Sequence, residues 1–368
     1  MKIALLAPFE ESVPPKKYGG TELIVYYLAQ ILSKKHSVFL FATGDSKTKA
    51  KLFPIFPQSI RNEKISQDLK FRDSLKYIGI AKVIKELQKV NPDIIHNHIG
   101  WRFLPFASLF KTPVITTLHG PLNIPYQQFI YGNFKEFPFV SISNSQRKPF
   151  PKLNFIATIY NGIDIKQFHF NPKPNGNYSA FLARMSPEKG PIQTIKIAKR
   201  AGINLKMCAK VDIVDKNYFL KEVKPLIDGK QIKFLGEIEQ KEKSNFLGNA
   251  KALLCPIQWE EPFGLFMTEA MACGTPVIAF ARGSVSEIIK DGETGFIVNS
   301  SPKDIRGNWI IKKSGIAGMV EAVKKIYNMP EKEYQKMRYL CRKHVEKNFT
   351  AEKMVSEYEK VYYKILKK

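Results

Sequence analysis

Two carboxylates flank the start of a predicted helix, and together with its backbone amides they could hold an oxygen-rich ligand. Glu261 precedes the helix, and Glu269 lies eight residues later, inside it. The first amides of a helix have no partner within it and bind anions or polar groups; here they belong to Phe263, Gly264 and Leu265. The two carboxylates could therefore bind two different hydroxyl groups of one elongated ligand. Alternatively, Glu269 is an ordinary acidic residue that complements the dipole of the first helical turn.

Two cations and two glycines suit a phosphate ligand. Arg184 and Lys189 flank a loop that follows a predicted strand over 180–183, and paired cations there could neutralise a diphosphate. Gly19 and Gly20 precede a predicted helix and would let the backbone approach a phosphate closely. The alternatives are two surface cations among 58 basic residues, and a Gly-Gly turn of the kind that often precedes a helix.

Three histidines follow predicted strands. His96 and His98 come after a strand over 93–95, and His119 comes after a strand over 113–118. The spacing of His96 and His98 could suit a metal ion, but no Asp, Glu or Cys lies nearby to complete the site. We therefore expect no metal, and we interpret His96 and His98 as hydrogen-bonded loop histidines.

Alternating strands and helices position these residues. Residues 2–8 form a short apolar run that is typical of a buried parallel strand. A strand over 252–257 and a helix from about residue 263 to Gly274 are expected around the two glutamates, because glycine commonly follows a helix C-terminus. Residues 46–70 contain Pro54 and other breakers and are expected to be irregular. The pattern predicts an α/β protein with doubly wound parallel sheets, whose ligands bind beyond the carboxyl ends of the strands.

Composition excludes several classes of protein. A chain of 368 residues is long enough for two domains, and it contains no apolar run long enough to span a bilayer. The apolar N-terminal run is too short for a signal peptide. The 4 cysteines are scattered without a C-x-x-C motif, which predicts neither a zinc knuckle nor disulfides and fits a reducing cytoplasm.

The net charge of +25 is spread along the chain. Residues 1–165 hold 22 basic and 11 acidic residues (+11), and the remainder holds 36 and 22 (+14). No nucleic-acid-binding motif accompanies this charge, so we expect no nucleic-acid partner. Two interpretations stay open: a lysine-rich solvated surface, or peripheral contact with the anionic inner face of a membrane.

The string around the two glutamates resembles a known signature. E-P-F-G-L followed by E-A-M-A-C-G-T-P-V-I-A is similar to the donor site of the retaining glycosyltransferases of glycosyltransferase family 4, which have the GT-B fold. Y-N-G-I-D at 160–164 resembles the family's interdomain linker, and R-M-S-P-E-K-G at 184–190 resembles its R-x4-K-G diphosphate loop. The resemblance covers essentially the whole chain and is most specific over 180–298.

This resemblance implies two Rossmann-like domains, each a doubly wound parallel sheet, that face a cleft. It places residues 1–165 and about 350–368 in an N-terminal, acceptor-side domain, because the last helix crosses back to it. Residues 166–349 would form the nucleotide-sugar-binding domain. Residues 46–70 and 121–137 are expected to shape the acceptor side, since loops carry such specificity.

The resemblance also assigns roles to individual residues. His119 would contact the transferred sugar near its reacting carbon, Glu261 would orient sugar hydroxyls, and Glu269 would hold the ribose. The expected catalytic residues are His119, Arg184, Lys189 and Glu261. The expected donor-binding residues are Gly19, Gly20, Arg184, Lys189, Ile238 (beside the base), Glu261, Phe263, Gly264, Leu265 and Glu269.

The implied activity is transfer of a hexosyl group, with retention, from a nucleotide-diphosphate sugar to a glycan, a lipid-linked sugar or a small molecule. The resemblance implies a front-face substitution in which the departing phosphate accepts the acceptor's proton. No cofactor is expected besides the nucleotide-sugar co-substrate, and no metal, because Arg184 and Lys189 supply the positive charge. The alternatives are a nucleotide-sugar epimerase of the same fold and a non-catalytic nucleotide-sugar-binding subunit.

Overall fold

The computed structural model describes residues 1–367, with only the backbone described at Asn62, and divides the chain into two units. Unit 1 comprises Met1–Gly162 together with the chain from Ala351 onward, and unit 2 comprises Ile163–Thr350. Each unit contains one sheet whose strands are all parallel, which confirms the predicted α/β class with two parallel sheets.

Unit 1 has a 7-stranded sheet in the order β3-β2-β1-β4-β5-β6-β7. The strands are β1 (Lys2–Leu6), β2 (Ser37–Ala42), β3 (Lys51–Pro54), β4 (Ile94–Asn97), β5 (Val114–Thr117), β6 (Phe139–Ser141) and β7 (Phe155–Thr158). The helices between them are α1 (Gly20–Leu32), α2 (Leu69–Val90), α3 (Leu104–Ala107), α4 (Pro125–Gly132) and α5 (Asn144–Arg147). The strand order reverses between β1 and β4, the position at which doubly wound sheets bind ligands.

Strand β3 shows that the prediction of an irregular segment over 46–70 was wrong. Lys51–Pro54 pairs in parallel with β2, with Phe39 opposite Lys51 and Ala42 opposite Pro54. A proline is tolerated there because β3 is the outermost strand of the sheet, where a missing N–H leaves no neighbouring strand unpaired.

Helix α2 shows how local sequence sets an element of unit 1. The side chain of Asp68 accepts hydrogen bonds from the amides of Lys70 (2.7 Å) and Phe71 (3.4 Å), so the helix begins directly after a capping residue. Ile80, Val83 and Leu87 recur at helical spacing and pack into the buried cluster beneath the sheet; this single stripe leaves the opposite face in solvent.

The final helix belongs to unit 1, as the GT-B resemblance predicts. Helix α13 (Ala351–Leu366) buries Tyr358 and Tyr362. The Tyr362 hydroxyl lies 2.7 Å from Nδ1 of His96, and the Tyr358 hydroxyl lies 3.0 Å from Oγ1 of Thr117. The helix is therefore bonded to the ends of β4 and β5.

Unit 2 has a 6-stranded sheet in the order β10-β9-β8-β11-β12-β13. The strands are β8 (Ser179–Arg184), β9 (Leu205–Lys210), β10 (Ile232–Gly236), β11 (Ala252–Cys255), β12 (Val277–Phe280) and β13 (Gly295–Val298). The helices are α6 (Pro191–Ala201), α7 (Lys216–Tyr218), α8 (Gln240–Gly248), α9 (Leu265–Ala272), α10 (Val285–Ile288), α11 (Gly315–Tyr327) and α12 (Glu331–Asn348). Here the order reverses between β8 and β11, and sheets of this kind bind ligands at the carboxyl ends of the strands on either side of such a reversal.

A buried arginine joins the helices of unit 2. Arg338 on α12 is 0% exposed. Its guanidinium donates to the carbonyls of Asn171 (2.8 Å), Gly248 (2.8 Å), Ala250 (3.2 Å) and Cys273 (3.2 Å). Gly248 ends α8 and Cys273 follows α9, so one side chain satisfies terminal carbonyls of both helices. Within residues 1–367, no helix is both long and apolar enough to cross a lipid bilayer.

We expect Arg338→Met to lower the free energy of unfolding of unit 2 by about 3–5 kcal/mol, because it leaves several buried carbonyls without a donor. Urea denaturation measures this loss. Lys336→Met, at an exposed position of the same helix, is the matched control and should change stability by less than about 0.5 kcal/mol. Equal effects of the two substitutions would contradict the role assigned to the carbonyl contacts.

Candidate functional site

The carboxyl ends of β8 and β11 bring Lys189 and Glu261 into contact. Lys189 Nζ lies 2.5 Å from Oε2 of Glu261, and both side chains are buried. Trp259 Nε1 donates to the same carboxylate oxygen (3.0 Å), and the ring of Trp259 lies 4.6 Å from Lys189 Nζ. The indole thus supports both members of the ion pair. Two residues that the sequence assigned to separate motifs form one charged unit.

The loop after β8 depends on a glycine for this contact. Gly190 follows Lys189 with φ +71, and a Cβ there would lie 2.2 Å from the carbonyl oxygen of Pro256. Only glycine lets the two chain segments approach this closely. Pro256 also ends β11 at Cys255, two residues before the predicted strand end, because proline has no N–H for the ladder.

Arg184, the last residue of β8, contacts two acidic side chains. Its guanidinium bonds Glu188, and its Nε lies 3.2 Å from Oδ2 of Asp215. Burial acts to raise the pKa of Glu188, but backbone hydrogen bonds and Arg184 outweigh it and hold that pKa below its usual value. Burial raises the pKa of Asp215 despite Arg184. Arg184 and Lys189 are close in sequence, but they pair with different carboxylates.

Helix α9 begins two residues later than predicted. Gly264 adopts φ +84 as the N-cap, so the first helical residue is Leu265 and not Phe263. Phe263 is buried, and its carbonyl accepts a hydrogen bond from Ser284 Oγ (2.7 Å). Of the three predicted amides, only that of Leu265 therefore belongs to the first helical turn. Gly274, with φ +88, follows the helix end as predicted.

Glu269 is a buried member of a second ion pair. It lies in the second turn of α9, which has no acidic residue in its first turn, so the dipole interpretation does not apply. Lys243 Nζ on α8 lies 2.9 Å and 3.2 Å from its two carboxylate oxygens. Lys243 was not predicted from the sequence, because nothing distinguishes it locally from its neighbouring lysines. Ile238 is half-buried in the loop between β10 and α8, five residues before Lys243.

The glycine pair of unit 1 encloses a buried carboxyl group. Gly20 is the first residue of α1, and a Cβ at Gly19 would lie 2.7 Å from Pro15 Cβ and 3.0 Å from Oε2 of Glu22. Glu22 is 6% exposed. Burial, reinforced by the nearby Glu10, raises the pKa of Glu22 to about 8. The burial of this carboxyl group could not be predicted from the sequence, because it depends on the fold around α1.

The histidines at the ends of β4 and β5 lie side by side. His98 Nδ1 is 2.9 Å from His119 Nε2, and His96 bonds Thr117 and Tyr362. His96 lies within β4 and not in a loop, since the strand extends to Asn97. Burial lowers the pKa of His96 to about 3 and that of His119 to about 4, so both rings are neutral near pH 7. Within residues 1–367, no three or more His, Cys, Asp or Glu side chains form a group that could hold a metal ion.

Comparison with protein families finds two matching models. The model for glycosyl transferases group 1 matches residues 163–343. The model for glycosyltransferase family 4 matches residues 18–167. Together they account for residues 18–343, and they meet where unit 1 gives way to unit 2.

Individual relatives match over nearly the whole chain. Spore coat protein SA of Bacillus subtilis is 22% identical over 98% of this chain and 100% of its own. The N-acetyl-alpha-D-glucosaminyl L-malate synthase of Bacillus anthracis is 24% identical over 95% of each chain.

Solved structures share the fold of both units. Sucrose-phosphate synthase from Thermosynechococcus elongatus has a TM-score of 0.75 at 18% identity and 99% coverage of both chains. The Anabaena protein HepE, solved in complex with UDP-glucose, has a TM-score of 0.74 at 18% identity, covering 99% of this chain and 100% of its own. These are structures of the GT-B fold.

The buried carboxyl group of Glu22 should make stability depend on pH. Its pKa in the folded protein is about 8, against an ordinary value of 4.5, so the folded state binds more protons between these limits. The free energy of unfolding should therefore fall as the pH rises from about 5 to about 9, by a few kcal/mol in order of magnitude. Chemical denaturation across this pH range measures the slope.

The variant Glu22→Gln keeps a neutral side chain of the same shape, so its stability relative to wild type should increase with pH. Glu352→Gln, at an exposed position on α13, is the control and should leave the slope unchanged. A Glu22→Gln protein with the wild-type slope would show that Glu22 titrates normally.

Proposed function

We propose that this chain, which belongs to the group 1 glycosyltransferases of the family 4 type and has the GT-B fold, is a retaining hexosyltransferase. It takes its donor from a nucleotide-diphosphate sugar and transfers the hexosyl group to a glycan, a lipid-linked sugar or a small molecule. The observation that carries the proposal is the buried Lys189–Glu261 pair at the carboxyl ends of β8 and β11. The structures of HepE with UDP and with UDP-glucose support a nucleotide-sugar donor of this kind.

The diphosphate is the ligand that we assign to Arg184 and Lys189. Cleavage of a glycosyl phosphate places negative charge on the leaving diphosphate, and preorganised cations stabilise that charge most in a buried site. Both cations already have carboxylate partners, so the diphosphate competes with Glu188 for Arg184 and with Glu261 for Lys189.

This competition gives Glu261 its role. Once Lys189 turns to the diphosphate, Oε2 of Glu261 loses one of its two donors and can accept a hydrogen bond from a hydroxyl group of the sugar. Trp259 Nε1 still donates to the carboxylate and keeps it oriented. The amide of Leu265 at the start of α9 adds a donor beside it, with Phe263 and Gly264 shaping the approach.

The nucleoside is assigned to Glu269 and Ile238. The Glu269 carboxylate would accept hydrogen bonds from the ribose hydroxyls while Lys243 holds it in place. Ile238 lies in the loop that leads into α8 and would contact the base. In unit 1 we assign donor contacts to Gly19 and Gly20, and contact with the transferred sugar to His119.

With these residues, a front-face substitution accounts for retention of the anomeric configuration. A double displacement needs a carboxylate nucleophile at the anomeric carbon, and the proposal places Glu269 at the ribose and Glu261 at the sugar hydroxyls. The departing phosphate accepts the acceptor's proton. Arg184 and Lys189 carry the charge stabilisation that a metal ion supplies in other enzymes, so we propose metal-independent catalysis.

Two other functions fit a nucleotide-sugar site. A nucleotide-sugar epimerase would interconvert two donors without an acceptor, and a non-catalytic subunit would bind the donor and release it unchanged. Glycosyl transfer is favoured because Arg184, Lys189, Glu261 and Glu269 are all present and take part in three buried or half-buried ion pairs.

Donor binding should stabilise the protein. We expect one class among UDP-, GDP-, ADP- and dTDP-sugars to raise the melting temperature, by a stabilisation of about 2.7 kcal/mol at a hundredfold excess over Kd. Glu269→Ala and Arg184→Ala should abolish the shift, because they remove the ribose and diphosphate contacts. Glu293→Ala, an exposed glutamate of unit 2, is the control and should keep it. No shift with any nucleotide sugar would contradict the proposed donor site.

Product analysis with the donor so identified separates the three functions. A transferase gives a glycosylated acceptor, an epimerase gives a second nucleotide sugar, and a binding subunit gives neither. The anomeric configuration of the product, read by NMR, tests retention. Undiminished activity in excess EDTA tests metal independence.

We also propose that unit 1 makes peripheral contact with an anionic membrane surface from the cytoplasmic side. The N-terminal half of α2 exposes Leu69 (53%), Phe71 (53%) and Ile78 (49%). Exposed lysines lie on the same helix, among them Lys70 and Lys85. Apolar side chains beside cations suit an interfacial helix on anionic lipid.

Sedimentation with phospholipid vesicles tests this contact. Binding should require anionic lipid, weaken as salt is raised, and decrease severalfold in Phe71→Ser, because apolar insertion and charge attraction act together. Leu109→Ser, which removes a 67% exposed apolar residue elsewhere in unit 1, is the control. Binding that is absent, or insensitive to salt, would refute the membrane contact.

A further inference from the structure

We propose that His98 is a positioning residue that fixes the ring proton of His119 on Nδ1. His119 then presents a hydrogen-bond donor, and not an acceptor, to its ligand. The identity of that ligand as the transferred sugar rests on the proposed function, whereas the position of the proton does not.

The contact between the two rings admits a single proton. His98 Nδ1 and His119 Nε2 are 2.9 Å apart, so one nitrogen donates and the other accepts. Burial holds the pKa of both rings below the ordinary value, and a neutral imidazole carries one N–H. The direction of this hydrogen bond therefore fixes the tautomer of both histidines at once.

The buried Nε2 atom of His98 decides the direction of this hydrogen bond. His98 is 3% exposed, and its Nε2 has no hydrogen-bond partner among residues 1–367. If His119 donated, His98 would carry its proton on Nε2, as a buried N–H without an acceptor. If His98 donates from Nδ1, its Nε2 is only a lone pair, and orphaned buried donors are rarer than under-satisfied acceptors. The second arrangement is favoured, and it leaves the proton of His119 on Nδ1.

His98 is held in place by a network that continues into α13. The ring of His96 packs against that of His98 with centroids 4.0 Å apart. His96 is fixed in turn by Thr117 Oγ1 (2.7 Å) and the Tyr362 hydroxyl (2.7 Å), and Thr117 also contacts Tyr358. A ring fixed on this side cannot rotate to exchange its two nitrogens without breaking the packing of unit 1.

This tautomer limits what His119 can do. A neutral ring with a proton on Nδ1, and with Nε2 already bonded to His98, has no lone pair to offer a ligand at Nδ1. His119 therefore orients a hydroxyl or carbonyl oxygen by donating to it and does not act as a general base through Nδ1.

Nitrogen-15 NMR of histidine-labelled protein tests the tautomer directly. The chain has 6 histidines, so the ring signals can be assigned by substitution. We expect the His119 signals of an imidazole protonated at Nδ1 and unprotonated at Nε2. The variant His98→Leu removes the donor. The chemical shifts of the two ring nitrogens of His119 should then approach the averaged values of an imidazole that exchanges between its two tautomers. A wild-type His119 protonated at Nε2 would overturn the proposal.

Kinetics test the positioning role. His98→Leu should lower kcat by roughly tenfold to a hundredfold, with the KM for the donor changed less than about threefold, because misorientation costs rate more than binding. His98→Asn places an amide N–H where Nδ1 lies and should restore most of the rate. His169→Leu, at an exposed histidine of unit 2, should leave both constants unchanged.

The two readouts separate the possible failures. Equal impairment of His98→Asn and His98→Leu, or full activity of His98→Leu, would overturn the positioning role. If no nucleotide sugar serves as donor, the proposed function fails, and the NMR spectrum still decides the tautomer. If His98→Leu does not fold, the wild-type spectrum and His98→Asn carry the test.

Discussion

The guanidinium of Arg338 is the contact on which the proposed donor site in unit 2 most depends. It binds carbonyls at the C-terminal ends of both α8 and α9. These are the helices that carry Lys243 and Glu269, so one buried cation fixes the relative position of two side chains that form an ion pair at a distance from it. A buried charge of this kind is tolerable only when many acceptors surround it, and the helix termini supply them. The contacts of Arg338 therefore determine both the packing of α8 against α9 and the relative position of Lys243 and Glu269.

The cations that we assign to the donor are compensated before any ligand arrives. Lys189 has Glu261, Lys243 has Glu269, and Arg184 has two acidic partners. The net charge of +25 therefore does not reside in the site. A cation that is already paired with a carboxylate is held in a fixed position, but it attracts an incoming anion less strongly. The anion must either displace that carboxylate or bind beside it. Such a site favours anions that also offer hydroxyl groups to the released carboxylates, which is the composition of a nucleotide sugar.

Local patterns were enough to predict the parts of this molecule that local forces determine. Alternating apolar segments predicted the parallel strands, and Gly274 marked the end of α9 because a left-handed residue commonly follows a helix. Contacts between distant segments were not predictable in this way. Lys243 lies among similar lysines, and the His98–His119 bond joins two strand ends 21 residues apart. The predicted start of α9 and the prediction of an irregular segment around β3 were wrong. The conformational effects of Gly264 and Pro54 depend on residues that are near in space and distant in sequence.

Unit 1 is assembled from two stretches of chain that are separated by the whole of unit 2. During synthesis on a ribosome, residues 1–162 emerge first, and the hydroxyl groups of Tyr358 and Tyr362 arrive only after unit 2 has been made. Until then, His96 and Thr117 can contact each other but lack the two tyrosine hydroxyl groups. Unit 2 is contiguous and can complete its core earlier. The second half of the polypeptide is thus positioned to fold first, although domains usually fold in the order in which they are translated.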